Sequence, residues 1–528
     1  MRILVSDKFS EKGLEILKQT AGVEVDYRTG LKGDDLVAAL SQADGLIIRS
    51  STKVTAELME KCPRLKAIGR AGSGVDNVDL PAAGKMGIVV MNTPGGNNVA
   101  TGEHTLSMMM ALSRQIPAAC AALKAGRWEK SKYMGVEVFR KTLGVLGFGN
   151  VGKVVVAGAL GMGMRVLVHD PFVVADKIAE LGAVPATFDE VLAEADYVTV
   201  HVPKSDKTLN LINAETIAKM KTGVRIINCA RGGIVNEADL LAALQSGKVA
   251  GAALDVYITE PCTESPLFAL DNVVVTPHLG ASTNEAQDNV AVAIVYQMID
   301  FLQHGNIKNA VNAPKIEPEL LKRIQPALKL TEKIGCLLGQ LVDGAPRMLK
   351  IFLGGDFAGY PADPFAAAAL VGLLPDFYDD EKINSINAPF LAKERGIAVS
   401  VTKREALTDY ANVIGLEAVF EGHEVEIQAS IPAPGEERIV RINQFQISLD
   451  PEGRILLISN EDVPGVVGEV GTLLGARKIN IGQLRLGRMK DQAEALMAVT
   501  CDNEVGEDVL IALRELPHVL SARLVNVS

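Results

Sequence analysis

The 528-residue chain carries 53 Lys and Arg against 64 Asp and Glu, a formal net charge of -11, with 48% hydrophobic and 22% charged residues. At about 100 to 200 residues per domain, that length exceeds one hydrophobic core and predicts three or four packed domains with little disorder. The acidic excess argues against binding along a phosphate backbone, which excludes nucleic acid as a partner and requires any anionic ligand to be held by a few local cations.

Residues 2–6, 23–27, 45–49, 66–69 and 87–91 read as short apolar strands separated by amphipathic stretches, the alternation of a parallel sheet covered by helices. The run Thr142-Leu143-Gly144-Val145-Leu146-Gly147-Phe148-Gly149-Asn150-Val151-Gly152 then reads as a strand, a glycine turn and a helix. It is followed by Val166-Leu167-Val168-His169-Asp170, a second strand ending in a carboxylate. This is the dinucleotide-binding fingerprint. Gly147 permits the tight turn, Gly149 the approach of a pyrophosphate, and Gly152 close helix packing, while Asp170 accepts hydrogen bonds from a ribose. Further strands are expected at 165–169, 196–201, 224–229, 249–254 and 272–276, so two α/β units stand in tandem. A helix is expected over 283–303, opened by a capping box of Ser282 and Glu285 and closed by Gly305. Residues 306–318, with Pro314 and Pro318, read as a linker. Residues 319–450 mix a helical opening with strand-like runs such as 347–353 and 423–430, an α+β pattern without a catalytic motif. The tail offers strands at 455–459, 478–486, 494–501 and 519–527 and helices near 465–475 and 505–515, in the ferredoxin-like order βαββαβ.

Cysteines 62, 120, 229, 262, 336 and 501 have no CxxC spacing and read as reduced thiols. The N-terminus enters a strand directly without a signal-peptide pattern, and no apolar run reaches membrane-spanning length, so a cytoplasmic protein without membrane partners is expected. Neither the seven histidines nor the acidic residues show metal-ligand spacing, and no metal is expected.

In open α/β sheets, ligands sit outside the carboxyl ends of the strands. Arg231, Glu260 and His278 each lie on a loop where a strand of the second unit ends. Hydride transfer to or from a 2-hydroxy acid needs a planar cation for the carboxylate, a base for the hydroxyl proton and a group that orients the base. Arginine, histidine and glutamate supply these roles in turn.

The set Gly147 to Gly152, Asn228-Cys229-Ala230-Arg231-Gly232-Gly233, Asp255 through Glu260-Pro261, and Thr276-Pro277-His278-Leu279-Gly280 resembles the D-isomer-specific 2-hydroxyacid dehydrogenase family. The likeness is strongest to its long-form branch acting on 3-phosphoglycerate. It spans about residues 1–310, and Asn460-Glu461-Asp462-Val463-Pro464-Gly465 through Asn480-Ile481 resembles an ACT domain. The resemblance implies an α/β architecture with a Rossmann-type cofactor domain (94–280) inserted in a flavodoxin-like substrate domain (1–93 and 281–308). An α+β intervening domain (315–452) and a ferredoxin-like ACT domain (454–528) follow. It implies NAD as cofactor, Arg231, Glu260 and His278 as the catalytic set, and cofactor contacts at Ser73, Asn150, Val151, Asp170, Cys229 and Asp255. Substrate contacts would come from Arg49, Lys53, Arg70 and Asn97. Trp128, Lys130 and Lys132 would face a neighbouring subunit of a homodimer or homotetramer. Asn460, Asp462 and Asn480 would hold a regulatory amino acid, L-serine, between two ACT domains. The expected reaction is NAD-dependent oxidation of 3-phosphoglycerate to 3-phosphohydroxypyruvate, opening serine biosynthesis. A hydroxypyruvate or glyoxylate reductase, and a nucleotide-sensing corepressor-like module, are the alternatives.

Overall fold

Two parallel sheets occupy the first 280 residues of the computed structural model, which describes residues 1–313, 316, 318–342, 344–378, 383–404, 410–488 and 493–527. The first comprises β1 (Arg2–Val5), β2 (Glu24–Tyr27), β3 (Gly45–Ile48), β4 (Ala67–Arg70) and β5 (Val89–Met91) in the order β2-β1-β3-β4-β5. The second comprises β6 (Thr142–Leu146), β7 (Arg165–His169), β8 (Val184–Pro185), β9 (Tyr197–Val200), β10 (Val224–Asn228), β11 (Val249–Leu254) and β12 (Val273–Val275), ordered β12-β11-β10-β9-β6-β7-β8. The first order is flavodoxin-like, and the second is the Rossmann order with one strand added at its end. The central strands are apolar throughout because helices cover both faces: β3, β6 and β9 are buried at every position.

The chain crosses between these sheets twice. After β5 it enters the helix Asn98–Ser113, whose Met108, Met109 and Leu112 pack with Leu143, Val145 and Ile227 of the second sheet. After β12 it returns through the helix Asn284–His304, whose Val290, Ile294 and Met298 pack with Ile3, Ile47 and Val89 of the first. The crevice between the sheets therefore opens where both connections run. The returning helix is capped by Thr283, whose hydroxyl accepts from the Ala286 N–H at 3.1 Å, one residue beyond the expected Ser282. The expected stop holds, with Gly305 left-handed at φ 72°.

The segment expected as linker from 306 is still part of the first sheet. Ala310 bridges Met91, the Val311 N–H donates to Val90 O, and the Asn312 side chain bonds both Val90 N and Ile88 O, so the edge of β5 is covered to residue 312. The backbone hydrogen bonds of that edge outweigh the local turn signal.

The third sheet holds β13 (Met348–Gly355), β14 (Ala398–Arg404), β15 (Asn412–Val419), β16 (Glu424–Ser430), β17 (Arg438–Ile442) and β18 (Phe445–Leu449), in the order β14-β13-β15-β16-β17-β18. The fourth holds β19 (Gly453–Glu461), β20 (Ile481–Arg488), β21 (Glu494–Cys501) and β22 (Val519–Val527), in the order β20-β21-β19-β22, with helices Val466–Ala476 and Glu507–Arg514. These two sheets share one apolar cluster. Leu330, Ile334 and Leu337 of the helix Pro318–Gln340 pack with Ile351 and Leu416 of the third sheet and with Ile455, Leu457 and Val525 of the fourth. The Gln340 amide also brackets Asn526, donating to its carbonyl and accepting from its N–H. The tail is thus not a free-standing unit, because one face of its sheet is buried by the helix before it. Ile386 is similarly buried in the core of the first sheet, and Lys85 pairs with Glu394 at 2.8 Å. Among the described residues no single helix is long and apolar enough to cross a membrane, and no cluster of three or more His, Cys, Asp or Glu side chains has the arrangement of a metal site.

Candidate active site

The strand order of the second sheet reverses between β6 and β9, and the loops leaving these strands part there. Gly147, at φ 102°, lies where a Cβ would meet His201 O at 2.5 Å, and a Cβ on Gly152 would meet Gly147 O at 2.2 Å. The turn is therefore closed to larger residues. At Gly149, the cap of the helix Asn150–Gly161, a Cβ would meet nothing within 4 Å, so the backbone faces open space at a helix N-terminus. An open helix N-terminus of this kind can take an anion such as a pyrophosphate. Asp170, just beyond β7, accepts from the Phe148 N–H at 2.8 Å and from the Phe172 N–H at 2.9 Å, which fixes a carboxylate beside it. Asn150 and Val151 open the helix. Cys229 is buried, and its thiol is pushed up to about 12 by desolvation with Asp255 adding to the effect, so it is an apolar filler and not a nucleophile.

The loops after β10, β11 and β12 carry Arg231, Glu260 and His278. His278 Nδ1 lies 2.7 Å from Glu260 Oε2, and Glu260 Oε1 accepts from the Tyr257 N–H at 3.0 Å. Burial works to raise the Glu260 carboxyl, but the bonds from His278 and Tyr257 prevail and hold it below its ordinary value. With one nitrogen engaged by a fixed carboxylate, His278 keeps Nε2 for proton exchange. A Cβ on Gly232 would lie 1.7 Å from Tyr257 O, so glycine there lets the Arg231 loop press against the Glu260 loop. Arg231 donates from Nε to Asp76 at 3.1 Å and from Nη1 to Ala230 O at 2.7 Å. Asp76 belongs to the first unit, so this contact spans the crevice.

Asp255 is fully buried and accepts from Thr276 Oγ1 and the Leu279 N–H at 2.6 Å each and from the Gly280 N–H at 2.8 Å, while His104 Nε2 lies 3.2 Å away. Desolvation favours its protonation, yet these donors hold it below the usual carboxylate range. A carboxyl lowered on folding contributes stability that is complete above its unfolded pKa and lost as pH falls through the folded value. The Tm gap between wild type and Asp255→Asn is therefore expected to stay constant from about pH 8 to pH 5 and to narrow below about pH 4. A gap that widens on acidification would contradict this.

On the first unit, Asp7 Oδ2 accepts from the N–H groups of Arg49, Ser51 and Thr52, and Asn77 Nδ2 donates to Arg49 O and Thr52 O. These bonds shape the loop that carries Arg49 and the exposed Lys53. The Arg70 guanidinium is pushed down to about 10 by burial, with Arg231 and Arg49 opposing its charge, and its Nε has no partner. Ser73 Oγ donates to Asn97 Oδ1 at 2.8 Å, at the first crossing between the sheets. The structure thus brings Arg49 and Arg231 each into electrostatic reach of Arg70. Asp7, Asp76, Asn77 and His104 were missed in the sequence, and Thr276 stood there only as the first residue of the His278 motif, with no role of its own.

Asn460, Asp462 and Asn480 do not converge within one chain. Asn460 pairs in register with Ala495, is buried, and leaves Oδ1 without a partner; Asp462 pairs with Arg488. Asn480 bonds Asp502 and Asn503 at the other end of the sheet, beside the pairing of Ile481 with Cys501. Trp128 is 82% exposed and Met134 80%, with Ile116 and Leu123 also exposed on the adjoining helix.

Residues 106–280 match the NAD binding domain of the D-isomer specific 2-hydroxyacid dehydrogenases, 323–443 the D-3-phosphoglycerate dehydrogenase intervening domain, and 454–518 the ACT domain. The chain is 41% identical over 526 residues to D-3-phosphoglycerate dehydrogenase of Synechocystis sp., covering 99% of this chain and 94% of that one. It is 39% identical to the Archaeoglobus fulgidus protein of the same name, over the full length of both. Among solved structures, D-lactate dehydrogenase of Aquifex aeolicus, complexed with NAD and lactic acid, is 30% identical with a TM-score of 0.52, covering 59% of this chain and all of that one.

Proposed function

The chain belongs to the D-3-phosphoglycerate dehydrogenases of the D-isomer-specific 2-hydroxyacid dehydrogenase family, and from that premise we propose that its crevice oxidises 3-phosphoglycerate to 3-phosphohydroxypyruvate, the first step of L-serine biosynthesis. The cofactor is NAD, which when bound supplies the hydride acceptor. Gly147, Gly149 and Gly152 with the helix N-terminus at Asn150 and Val151 hold its pyrophosphate, and Asp170 its ribose hydroxyls. Arg231, oriented by Asp76 and Ala230 O, takes the substrate carboxylate. His278 accepts the C2 hydroxyl proton at Nε2 as the hydride leaves C2, and ionised Glu260 stabilises the imidazolium. Ser73 and Asn97 line the crossing between the units.

The observation that carries the substrate is Arg70, a half-buried guanidinium whose Nε has no partner, which makes no ion pair among the described residues and faces the charges of Arg49 and Arg231 with only Asp76 and Asp7 opposing them from a distance. A second anionic group on the ligand relieves that repulsion, and a phosphate held by Arg49 and Arg70 with Lys53 at the rim does so. Arg70→Ala is expected to raise KM for 3-phosphoglycerate on the order of tenfold or more while D-glycerate, lacking the phosphate, loses little. Equal losses on both substrates would favour a reductase of unphosphorylated hydroxy acids. Asp170, with both oxygens fixed by backbone donors, repels a 2′-phosphate, so Asp170→Ala should narrow the preference for NAD over NADP. An unaltered cofactor ratio would remove Asp170 from the ribose site.

The exposed apolar strip of Ile116, Leu123, Trp128 and Met134 supports a homodimer or homotetramer, with Lys130 and Lys132 beside the interface. L-serine would bind between the ACT domains of two copies, Asn460 and Asp462 from one meeting Asn480 from the other, since one chain holds them apart. Because the ACT sheet shares a core with the preceding helix, the test uses the whole chain: Asn480→Ala should abolish serine inhibition and leave uninhibited kcat intact. Activity indifferent to millimolar serine in the wild type would reject this regulation.

A further inference from the structure

We propose that His104, on the helix that first crosses from one sheet to the other, is a positioning residue for the reaction, fixing through Asp255 the turn that presents His278. The inference rests on the proposed role of His278. His278 sits at φ 55°, a left-handed conformation that a histidine adopts at a cost and keeps only where neighbouring bonds impose it. Those bonds converge on Asp255. Its backbone carbonyl accepts the His278 N–H at 2.9 Å, and its carboxylate accepts the N–H groups of the next two residues, Leu279 and Gly280.

The carboxylate itself is fully buried, so it can hold that turn only while its charge is compensated. Thr276 is one side-chain donor, and its hydroxyl has a single proton, already given to Asp255 Oδ1. His104 Nε2 lies 3.2 Å from both Asp255 Oδ1 and Thr276 Oγ1; because the Thr276 proton goes to Asp255, the Nε2–H tautomer is the one in which the ring donates into this cage and completes it. His104 comes from a different element from the turn, the helix Asn98–Ser113, so it also ties the His278 loop to the crossing helix. Among the described residues Arg49, Arg70 and Arg231, assigned to the substrate, share no hydrogen bond or ion pair with this cage, and a defect in it should therefore appear in kcat and leave KM alone.

The test compares full-length His104→Leu, His104→Asn and His104→Gln. Leucine removes the donor, asparagine is too short to bring one to Asp255, and glutamine carries an amide N–H to about the place of Nε2. The Leu and Asn variants are expected to lose kcat on the order of tenfold or more with 3-phosphoglycerate KM within about twofold, and Gln to recover most of it. If His104→Leu does not fold, the Asn and Gln pair decides. Wild-type kcat in the Asn variant, a Gln variant as impaired as Asn, or a loss confined to KM would overturn the proposal. A second readout needs no substrate: the downfield proton NMR signal of His278 Nδ1–H against Glu260 should broaden or vanish in Asn and persist in Gln. An inert wild type would count against the proposed reaction, whereas this signal would still decide the role of His104.

Discussion

Replacing His278 with alanine is expected to lower kcat by a factor on the order of 10² to 10⁴, the usual contribution of a positioned general base. The side chain is 45% exposed and its one described side-chain partner is Glu260, so the melting temperature should hardly change. KM for 3-phosphoglycerate should also hold, because the groups assigned to its carboxylate and phosphate lie on other loops. Steady-state kinetics beside a thermal melt checks all three. A kcat within about threefold of wild type would move the acid/base role elsewhere.

Arg231→Gln is the second large effect. A charge-assisted contact to a desolvated carboxylate is worth about 2 to 5 kcal/mol when one partner is truncated, on the order of 30- to 5,000-fold in kcat/KM. Gln keeps donors but loses the charge and the planar fork. It also releases Asp76, whose pairing with Arg231 links the two units across the crevice. The loss should appear with phosphorylated and unphosphorylated substrates alike, since both carry the carboxylate. A loss confined to the phosphorylated one would place Arg231 at the phosphate instead.

The first two sheets were legible because each central strand is a short apolar run between punctuating glycines and polar loops, and because Gly147, Gly149 and Gly152 stand where only a strand-turn-helix can use them. The tail was legible for the same reason, its strands and helices alternating at ordinary lengths. The docking of that tail was not. The faces that Ile455, Leu457 and Val525 bury against the helix Pro318–Gln340 look in sequence like any strand interior, and nothing local names the partner. The linker was misplaced because Asn309 and Asn312 carry turn chemistry while their backbone and side-chain bonds go to β5 and the residues flanking it, more than two hundred residues earlier. In the site, Arg231, Glu260 and His278 could be found because each follows a strand end. His104 could not, being one polar position on a helix whose other residues explain its packing. Asp255 stood out in the sequence only as a motif residue; its buried cage joins the side chains of Thr276 and His104 to the backbone N–H groups of Leu279 and Gly280, a convergence that no local pattern shows.

The most direct test of the central claim is to follow nicotinamide absorbance with NAD and, in parallel, 3-phosphoglycerate and D-glycerate, and with NADH and 3-phosphohydroxypyruvate, glyoxylate and hydroxypyruvate. The crowded arginines and the His278–Glu260 pair lead to turnover of the phosphorylated pair in both directions, with kcat/KM for the unphosphorylated compounds lower by on the order of 100-fold or more. Equal or faster turnover of glyoxylate or hydroxypyruvate would contradict the phosphate site, and no turnover of any of the five would contradict the reaction itself.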